Sequence, residues 1–174
     1  LSGRSLYLIK PVSMTKKPGI VLNYNALYSR LFVFVLLCLL QAGNIKAQVV
    51  VTGSNGANGN HTSLTQAGGV FAAINSNSQA GRNIQVSITG NITTENGAVG
   101  LGAGSWTSLK ITTTGIRTVS GNVNQALIRF EGSDNVVLDG ISIAGSNRIT
   151  INNASTGANA ATIQFYNGAS NDSI

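Results

Sequence analysis

Short stretches of alternating apolar and polar residues recur along the second half of the chain. From Ile84 to Ile88 every second residue is apolar, and Ile92 continues the pattern. The same alternation occurs in Leu109–Ile111, Val136–Leu138, Ile141–Ile143, Ile149–Ile151 and Ile163–Phe165. A period of two puts the apolar side chains on one face of a β-strand, and the Gly, Asn and Ser residues between the segments are typical of turns. The pattern predicts a folded all-β domain in which each strand has one buried face.

One segment has the period of a helix instead. Its apolar residues fall at spacings of three and four: Ala67, Val70, Phe71 and Ile74. The preceding Ser63-Leu64-Thr65-Gln66 fits a capping box, in which the Ser hydroxyl and the Gln amide satisfy free backbone donors. These residues predict a short helix at about 64–75, at one end of the β structure.

A loose internal repeat suggests how the strands are arranged. Ala126–Phe130 recurs as Ala161–Phe165, 35 residues later, and Ser133–Val137 is echoed by Ser170–Ile174, 37 residues later. Repeats of 20–50 residues are typical of solenoids, in which each unit buries its apolar face by stacking on the next. Gly and Asn suit the corners because they tolerate left-handed backbone angles. The repeat favours stacked coils, with a β-sandwich as the alternative.

The N-terminal part of the chain has the pattern of a secretory signal peptide. Basic residues precede the uninterrupted apolar run Leu31–Leu40, and Ile45-Lys46-Ala47 follows it with a small residue at the end. The other interpretation, a transmembrane helix, needs about 20 apolar residues, and this run is too short. Residues 1–47 are therefore predicted to be a cleaved Sec-type signal peptide. Because Met14 is the only Met, residues 1–13 are a candidate for sequence upstream of the true start.

Charge and residue inventory exclude several functions. The formal net charge is +6, yet six of the eleven basic residues precede residue 48 and all five acidic residues follow it. The mature chain is thus neutral, with no excess of Lys and Arg to neutralise the phosphates of a nucleic acid. It also has no Cys, which excludes disulfide scaffolds, Cys-based zinc clusters and Cys-based catalysis. We expect a secreted or cell-surface protein with no stable membrane span after signal cleavage.

Four segments in a fixed order resemble a known family. They are Gly69–Asn75, Val86–Ile92, Arg117–Gly121 and Gly132–Gly140. Together they resemble the N-terminal part of the right-handed parallel β-helix, pectate-lyase-like region of large secreted surface proteins of Gram-negative bacteria, which are often exported by the type IX route. The resemblance covers about residues 63–174, and Asp-Asn-Val-Val-Leu-Asp-Gly at 134–140 is its most specific part.

The resemblance implies a right-handed parallel β-helix of three-sided coils with a short N-terminal capping helix. Residues 63–174 would form an incomplete β-helix domain after a flexible, Gly- and Asn-rich lead-in at 48–62. Family members continue through further coils, adhesive modules and a sorting domain, so the chain is expected to be an N-terminal fragment or a truncated product. The expected function is that of a structural, adhesin-like cell-surface segment whose polar faces contact carbohydrate or extracellular matrix polymers.

The alternative function is that of the N-terminal fragment of a polysaccharide lyase or glycoside hydrolase. Glu131, Asp134 and Asp139 form the only acidic cluster, and paired carboxylates can act as acid and base on sugars or can bind Ca²⁺. Turn formation at Asp134 and at Asp139-Gly140 explains these residues more simply. Arg129 and Arg148 could serve a lyase as bases, but no spacing marks a site. We therefore predict no catalytic residue and no cofactor, and Ca²⁺ binding lacks support.

Trp106 follows the Gly-rich segment Gly100–Ser105 and is expected on a loop. An exposed Trp can stack on a sugar ring, although a loop Trp is more often packed against the fold. The carbohydrate-contact candidates from the sequence are Trp106, Asp134 and Asp139.

Overall fold

The computed structural model describes residues 47–140 and 146–174. Their strands are β1 (Val49–Thr52), β2 (Gly59–His61), β3 (Asn83–Ile88), β4 (Ile92–Glu95), β5 (Leu101–Gly102), β6 (Ser108–Thr113), β7 (Ile116–Gly121), β8 (Ala126–Glu131), β9 (Val136–Leu138), β10 (Arg148–Asn153) and β11 (Ala161–Tyr166). One helix, α1 (Val70–Asn75), lies between β2 and β3. The predicted signal peptide, apart from Ala47, and the predicted strand at 141–143 lie outside the described residues.

The strands form three small sheets. The five-stranded sheet has the order β2-β1-β3-β6-β9, and the two three-stranded sheets have the orders β10-β7-β4 and β11-β8-β5. All pairs among β3 to β11 are parallel, whereas β1 pairs antiparallel with both β2 and β3. The predicted alternation is confirmed in the described strands, because the apolar residues of β3, β6 and β9 are buried and the residues between them are more exposed.

The predicted right-handed parallel β-helix is wrong. The described strands form small sheets, one of mixed direction and two parallel, rather than a closed or solenoid fold. The antiparallel strands β1 and β2 occupy the edge of the mixed sheet, where a regular solenoid would continue with parallel strands. The alternative, a β-sandwich of antiparallel sheets, does not describe two all-parallel sheets either. Alternation determines which side chains are buried, but it carries no information on strand partner or direction.

The internal repeat does identify two neighbouring strands. Ala126–Phe130 lies in β8 and Ala161–Phe165 in β11, and they pair in parallel at the predicted offset, with Phe130 opposite Phe165. The second copy pairs with an offset of 36 rather than 37 residues, because Asp134 bridges to Ser170. At this offset Asn135 and Asn171 correspond, and both have left-handed backbone angles, with φ of 59° and 54°. The predicted preference of Asn for corners is confirmed there.

The core consists of rows of inward side chains, one from each successive strand of a sheet. Ile84, Leu109 and Val136 form one row, and Val86, Ile111 and Leu138 form the next. Phe130 contacts Phe71 of α1 on one side, at 6.4 Å between ring centroids, and stacks on Phe165 on the other, at 4.9 Å. The helix therefore covers one end of this core.

The helix is shorter than predicted. It begins at Val70, and Gly69 at its N-cap makes no side-chain capping bond. Ser63 instead accepts a hydrogen bond from the backbone N–H of Gln66 (2.9 Å), and the Gln66 amide donates to the Thr94 carbonyl. The capping-box residues thus form a separate turn. Residues 48–62, predicted to be a flexible lead-in, contain β1 and β2.

Candidate functional site

The three sequence-derived candidates lie at different places, and Trp106 is buried. Its side chain is only 5% exposed, and its Nε1–H donates to the backbone carbonyl of Asp134 (2.6 Å). The ring fills the space above Gly104, where a Cβ atom would lie 1.9 Å from it. Trp106 therefore ties a Gly-rich loop to the corner before β9 and presents no ring face for stacking on a sugar.

Asp134 holds the corner between β8 and β9. Its carboxylate accepts hydrogen bonds from the Ser170 hydroxyl (2.6 Å) and the Ser170 backbone N–H (3.0 Å). Asp172 acts similarly, because its carboxylate accepts the N–H of Val136 (2.8 Å) and lies 3.4 Å from the Ser133 hydroxyl. Burial raises the pKa of Asp172, against the opposing effect of these two hydrogen bonds. Both carboxylates thus hold residues 170–174 against β9.

Asp139 forms an ion pair on the outer face of the mixed sheet. Its Oδ2 lies 2.7 Å from Nζ of Lys110, and both side chains are 40% exposed. Glu131, the third member of the predicted acidic cluster, contacts Arg129. The three carboxylates therefore have separate partners instead of sharing one catalytic or ion-binding site.

Glu95 is a buried carboxylate that the sequence did not single out. It is 2% exposed and accepts hydrogen bonds from the hydroxyls of Ser63 (2.9 Å) and Thr65 and from the backbone N–H groups of Leu64 and Thr65. Four donors compensate for the desolvation of this charge. Because every contact is to the 63–65 turn, Glu95 has a structural role.

A polar surface covers the outer side of the β4-β7-β10 sheet. In β7 and β10, Thr118 lies opposite Thr150 and Ser120 opposite Asn152. Val119 and Ile151, between them, pack into or against the core, so these four side chains face outward. Thr93 in β4 and Asn91 just before it are exposed beside them. We call Asn91, Thr93, Thr118, Ser120, Thr150 and Asn152 the hydroxyl-amide face.

The hydroxyl-amide face carries no charge among its six side chains. It offers hydroxyl and amide groups as donors and acceptors, although the Asn91 amide oxygen already accepts the backbone N–H of Thr118 (3.0 Å). Neighbouring strands of a sheet lie about 4.8 Å apart, so the groups form regular rows. Arg148, which is exposed, borders one end of the face. Such a surface suits a neutral, extended polymer with many hydroxyl groups.

A second polar group lies on the outer side of the β5-β8-β11 sheet. Arg129 and Glu131 alternate with the buried Phe130, and in β11 Gln164 lies opposite Arg129 and Tyr166 opposite Glu131. Arg129 Nε is 3.0 Å from a Glu131 carboxylate oxygen but is not aligned for a hydrogen bond. We call Arg129, Glu131, Gln164 and Tyr166 the Glu131 group.

Tyr166 lies directly opposite Glu131 in the neighbouring strand. The interaction of its hydroxyl with the Glu131 carboxylate is the main cause that raises the pKa of Tyr166, and burial and the charge of Glu131 act in the same direction. The sequence repeat contained a signal for this contact. Extending the alignment of Phe130 with Phe165 by one residue pairs Glu131 with Tyr166.

A cavity of about 470 Å³ opens between β9 and β10. Its lining is Val137, Leu138, Asp139, Gly140, Ile149, Ile151 and Ile174. Residues 141–145, which follow Gly140, lie outside the described part of the chain, so we assign no ligand to this cavity.

Within residues 47–140 and 146–174, no three His, Cys, Asp or Glu side chains come together in a way that could hold a metal ion. In the same part of the chain, no helix is long and apolar enough to cross a membrane. No protein-family model matches the chain, and comparisons with curated proteins and with solved structures found no similar protein.

Proposed function

We propose that this chain is an exported, adhesin-like structural protein of the cell surface, whose polar faces contact carbohydrate or matrix polymers. The observation that carries the proposal is the hydroxyl-amide face, with outward Thr118 opposite Thr150 and Ser120 opposite Asn152 in register. Neutral polysaccharides present repeated hydroxyl groups, and each can pair with an amide or hydroxyl of such a face. The apolar run and cleavage pattern of residues 1–47 support export.

Co-sedimentation of the secreted protein with insoluble cellulose, chitin, xylan and peptidoglycan tests the contact. We expect retention on at least one polymer, weakened roughly tenfold or more by the double substitution Thr150→Glu and Asn152→Glu, because two carboxylates would lose hydration against a neutral surface. The matched control is Gln85→Glu, an exposed change on the outer face of β3. Failure of the wild type to sediment with any polymer, or equal loss in the control, would contradict the proposal.

Export has its own test. The chain should be secreted from a Gram-negative host, and N-terminal sequencing of the product should begin at Gln48. An intact leader in the cytoplasmic fraction would contradict export without bearing on carbohydrate contact.

A further inference from the structure

The Glu131 group combines a carboxylate, a guanidinium, an amide and a phenol on one outer face. On the inner side of the same two strands, Phe130 and Phe165 stack with their ring centroids 4.9 Å apart and an interplanar angle of 18°. Because β8 and β11 are parallel and in register, Glu131 and Tyr166 lie opposite each other. The group is thus carried by two paired strands rather than by a loop.

Gly100 fixes where the Glu131 carboxylate lies. A Cβ atom at position 100 would be 2.2 Å from Oε1 of Glu131, so this side chain rests directly on the glycine. On the outer side, Gly102 of β5 and Gly100 just before it offer only backbone, and Asn75 of α1 binds that backbone through the Gly100 carbonyl (2.8 Å) and the Gly102 N–H (3.1 Å). A surface of backbone atoms at Gly100 and Gly102, which we call the shelf, therefore borders the carboxylate.

The Glu131 carboxylate keeps acceptor capacity. A carboxylate has about four lone-pair positions, and the Tyr166 hydroxyl, opposite Glu131 in register, can occupy only one of them. Arg129 approaches through Nε alone without hydrogen-bond alignment, while its Nη2 donates to the Ala98 carbonyl (3.2 Å). A structural Arg–carboxylate pair is commonly bidentate, and this one is not. Both side chains are partly exposed, at 21% and 28%, so a ligand can reach them.

The charges of the group select the class of ligand. The charges of Arg129 and Glu131 cancel, and the Tyr166 phenol is neutral near pH 7, as a phenol with an ordinary or raised pKa is. An anionic ligand would meet the Glu131 carboxylate, and a cationic one would meet the Arg129 guanidinium. A neutral sugar has adjacent hydroxyl groups that donate to a carboxylate and accept from a guanidinium or an amide at the same time.

We propose that Arg129, Glu131, Gln164 and Tyr166 bind one unit of a neutral saccharide through a pair of vicinal hydroxyl groups, beside the shelf at Gly100 and Gly102. This proposal rests on the carbohydrate contact proposed above and assigns the recognition of a single sugar unit to a second face. Glu131 accepts from one hydroxyl, and Arg129 and Gln164 donate to its neighbour. Tyr166 positions the carboxylate.

Saturation-transfer NMR on the full chain tests the site, with methyl α-mannoside, methyl β-galactoside, methyl β-glucoside and sodium galacturonate as probes. We expect transfer to at least one neutral glycoside and none to galacturonate. Binding should weaken roughly tenfold or more in Glu131→Gln, because a hydrogen bond to a charged acceptor is lost. Gly100→Ala should weaken it similarly, because it displaces the carboxylate while keeping all four side chains.

Lys110→Gln is the matched control, since it removes another exposed ion pair, the one between Lys110 and Asp139 on the mixed sheet. It should leave glycoside binding unchanged, and circular dichroism should show the same β content in all variants. Surface ion pairs contribute about 0–1 kcal/mol, so Glu131→Gln should remain folded. Tyr166→Phe, which keeps the ring, provides an independent variant that should also weaken binding.

Three results would overturn the site. If Glu131→Gln and Gly100→Ala leave glycoside binding unchanged, the proposed site is wrong. The proposed function still stands in that case, provided that the wild type is retained on a polymer. Preferred binding of galacturonate would refute the neutral ligand. A wild type that neither binds glycosides nor sediments with polymers would refute both proposals.

Discussion

At the scale of single residues, inward polar side chains organise the turns. Glu95 and Asn153 both lie in register with Gly121, in strands on either side of it. Glu95 accepts four hydrogen bonds from residues 63–65, whereas the Asn153 amide donates to the carbonyls of Val123, Gln125 and Ala161, each at 2.9 Å. Glu95 of β4 and Asn153 of β10, at equivalent positions on either side of β7, thus both form hydrogen bonds with the backbone groups of nearby turns.

Replacing Glu95 by Ala should lower the free energy of unfolding by roughly 2–4 kcal/mol, because two hydroxyls and two buried backbone N–H groups lose their acceptor. Urea unfolding followed by circular dichroism measures the change. The exposed substitution Gln85→Ala should cost less than about 0.5 kcal/mol. Equal effects of the two substitutions would mean that the turn at 63–65 does not depend on the carboxylate.

Substitution of Glu131 should also change the titration of Tyr166. Since the interaction with the Glu131 carboxylate is the largest cause of the raised pKa of Tyr166, Glu131→Gln should bring this pKa back toward its ordinary value. Absorbance near 295 nm against pH measures phenolate formation. Subtracting the curve of Tyr166→Phe isolates this residue from the other three Tyr. Identical curves with and without Glu131 would show that the contact is absent in solution.

At the scale of elements, each inward row takes its side chains from three or more strands, most of them far apart in sequence. The aromatic row shows this best, because Leu101 of β5, Phe130 of β8 and Phe165 of β11 lie side by side. Phe130 is 1% exposed between its neighbours, whereas Phe165 is 43% exposed in the last strand. Burial therefore decreases from α1 toward β11, and the energetic importance of similar residues should decrease with it.

Phe130→Ala should destabilise the protein by about 3–5 kcal/mol, as expected for removal of a buried aromatic side chain. Phe165→Ala should cost only about 1–2 kcal/mol, since much of this ring is already in water. Denaturant unfolding of both variants tests the gradient, with Thr162→Ala in β11 as the control. A larger loss from Phe165 than from Phe130 would contradict the assignment of the core.

At the scale of the whole molecule, the ends of the described core differ. Val70, Phe71 and Ile74 of α1 are buried against one end, whereas residues 170–174 add isolated parallel bridges to β9 at the other. Hydrogen bonds to Asp134 and Asp172 hold this last segment, and Ile174 itself is 73% exposed. The contribution of these two carboxylates to the stability of the protein should therefore depend on pH.

Asp172 should make stability fall as pH rises through the mildly acidic range. Burial raises its pKa above 3.8, so the folded state binds the proton more tightly than the unfolded state. The resulting stabilisation is complete below the unfolded pKa and is lost as pH rises through the folded pKa. Urea midpoints of the wild type minus those of Asp172→Asn should decrease from pH 3.5 to 7. A difference that is flat or increases with pH would contradict this prediction.

The sequence carried the local part of the fold. The alternation of Ile84, Val86 and Ile88 predicted a strand and its buried face, and the repeat of Ala126–Phe130 predicted the neighbour of one strand. The sequence did not predict the antiparallel pairing of β1, the late start of α1 or the partners of Glu95. The pairing of β1 with β3 joins residues at least 33 positions apart, and the contacts of Glu95 join residues at least 30 positions apart, which no local pattern encodes.

The candidate site divides in the same way. Residue types alone determined that residues 48–174 are formally neutral, free of Cys and rich in hydroxyl and amide groups, because composition limits which chemistry is available. Only the tertiary structure decided that Trp106 is buried, that Asp134 and Asp139 have separate partners and that the Glu131 carboxylate rests on Gly100. The reason is physical: exposure and pairing depend on strand register and on the packing of distant segments, and both are set when the chain folds.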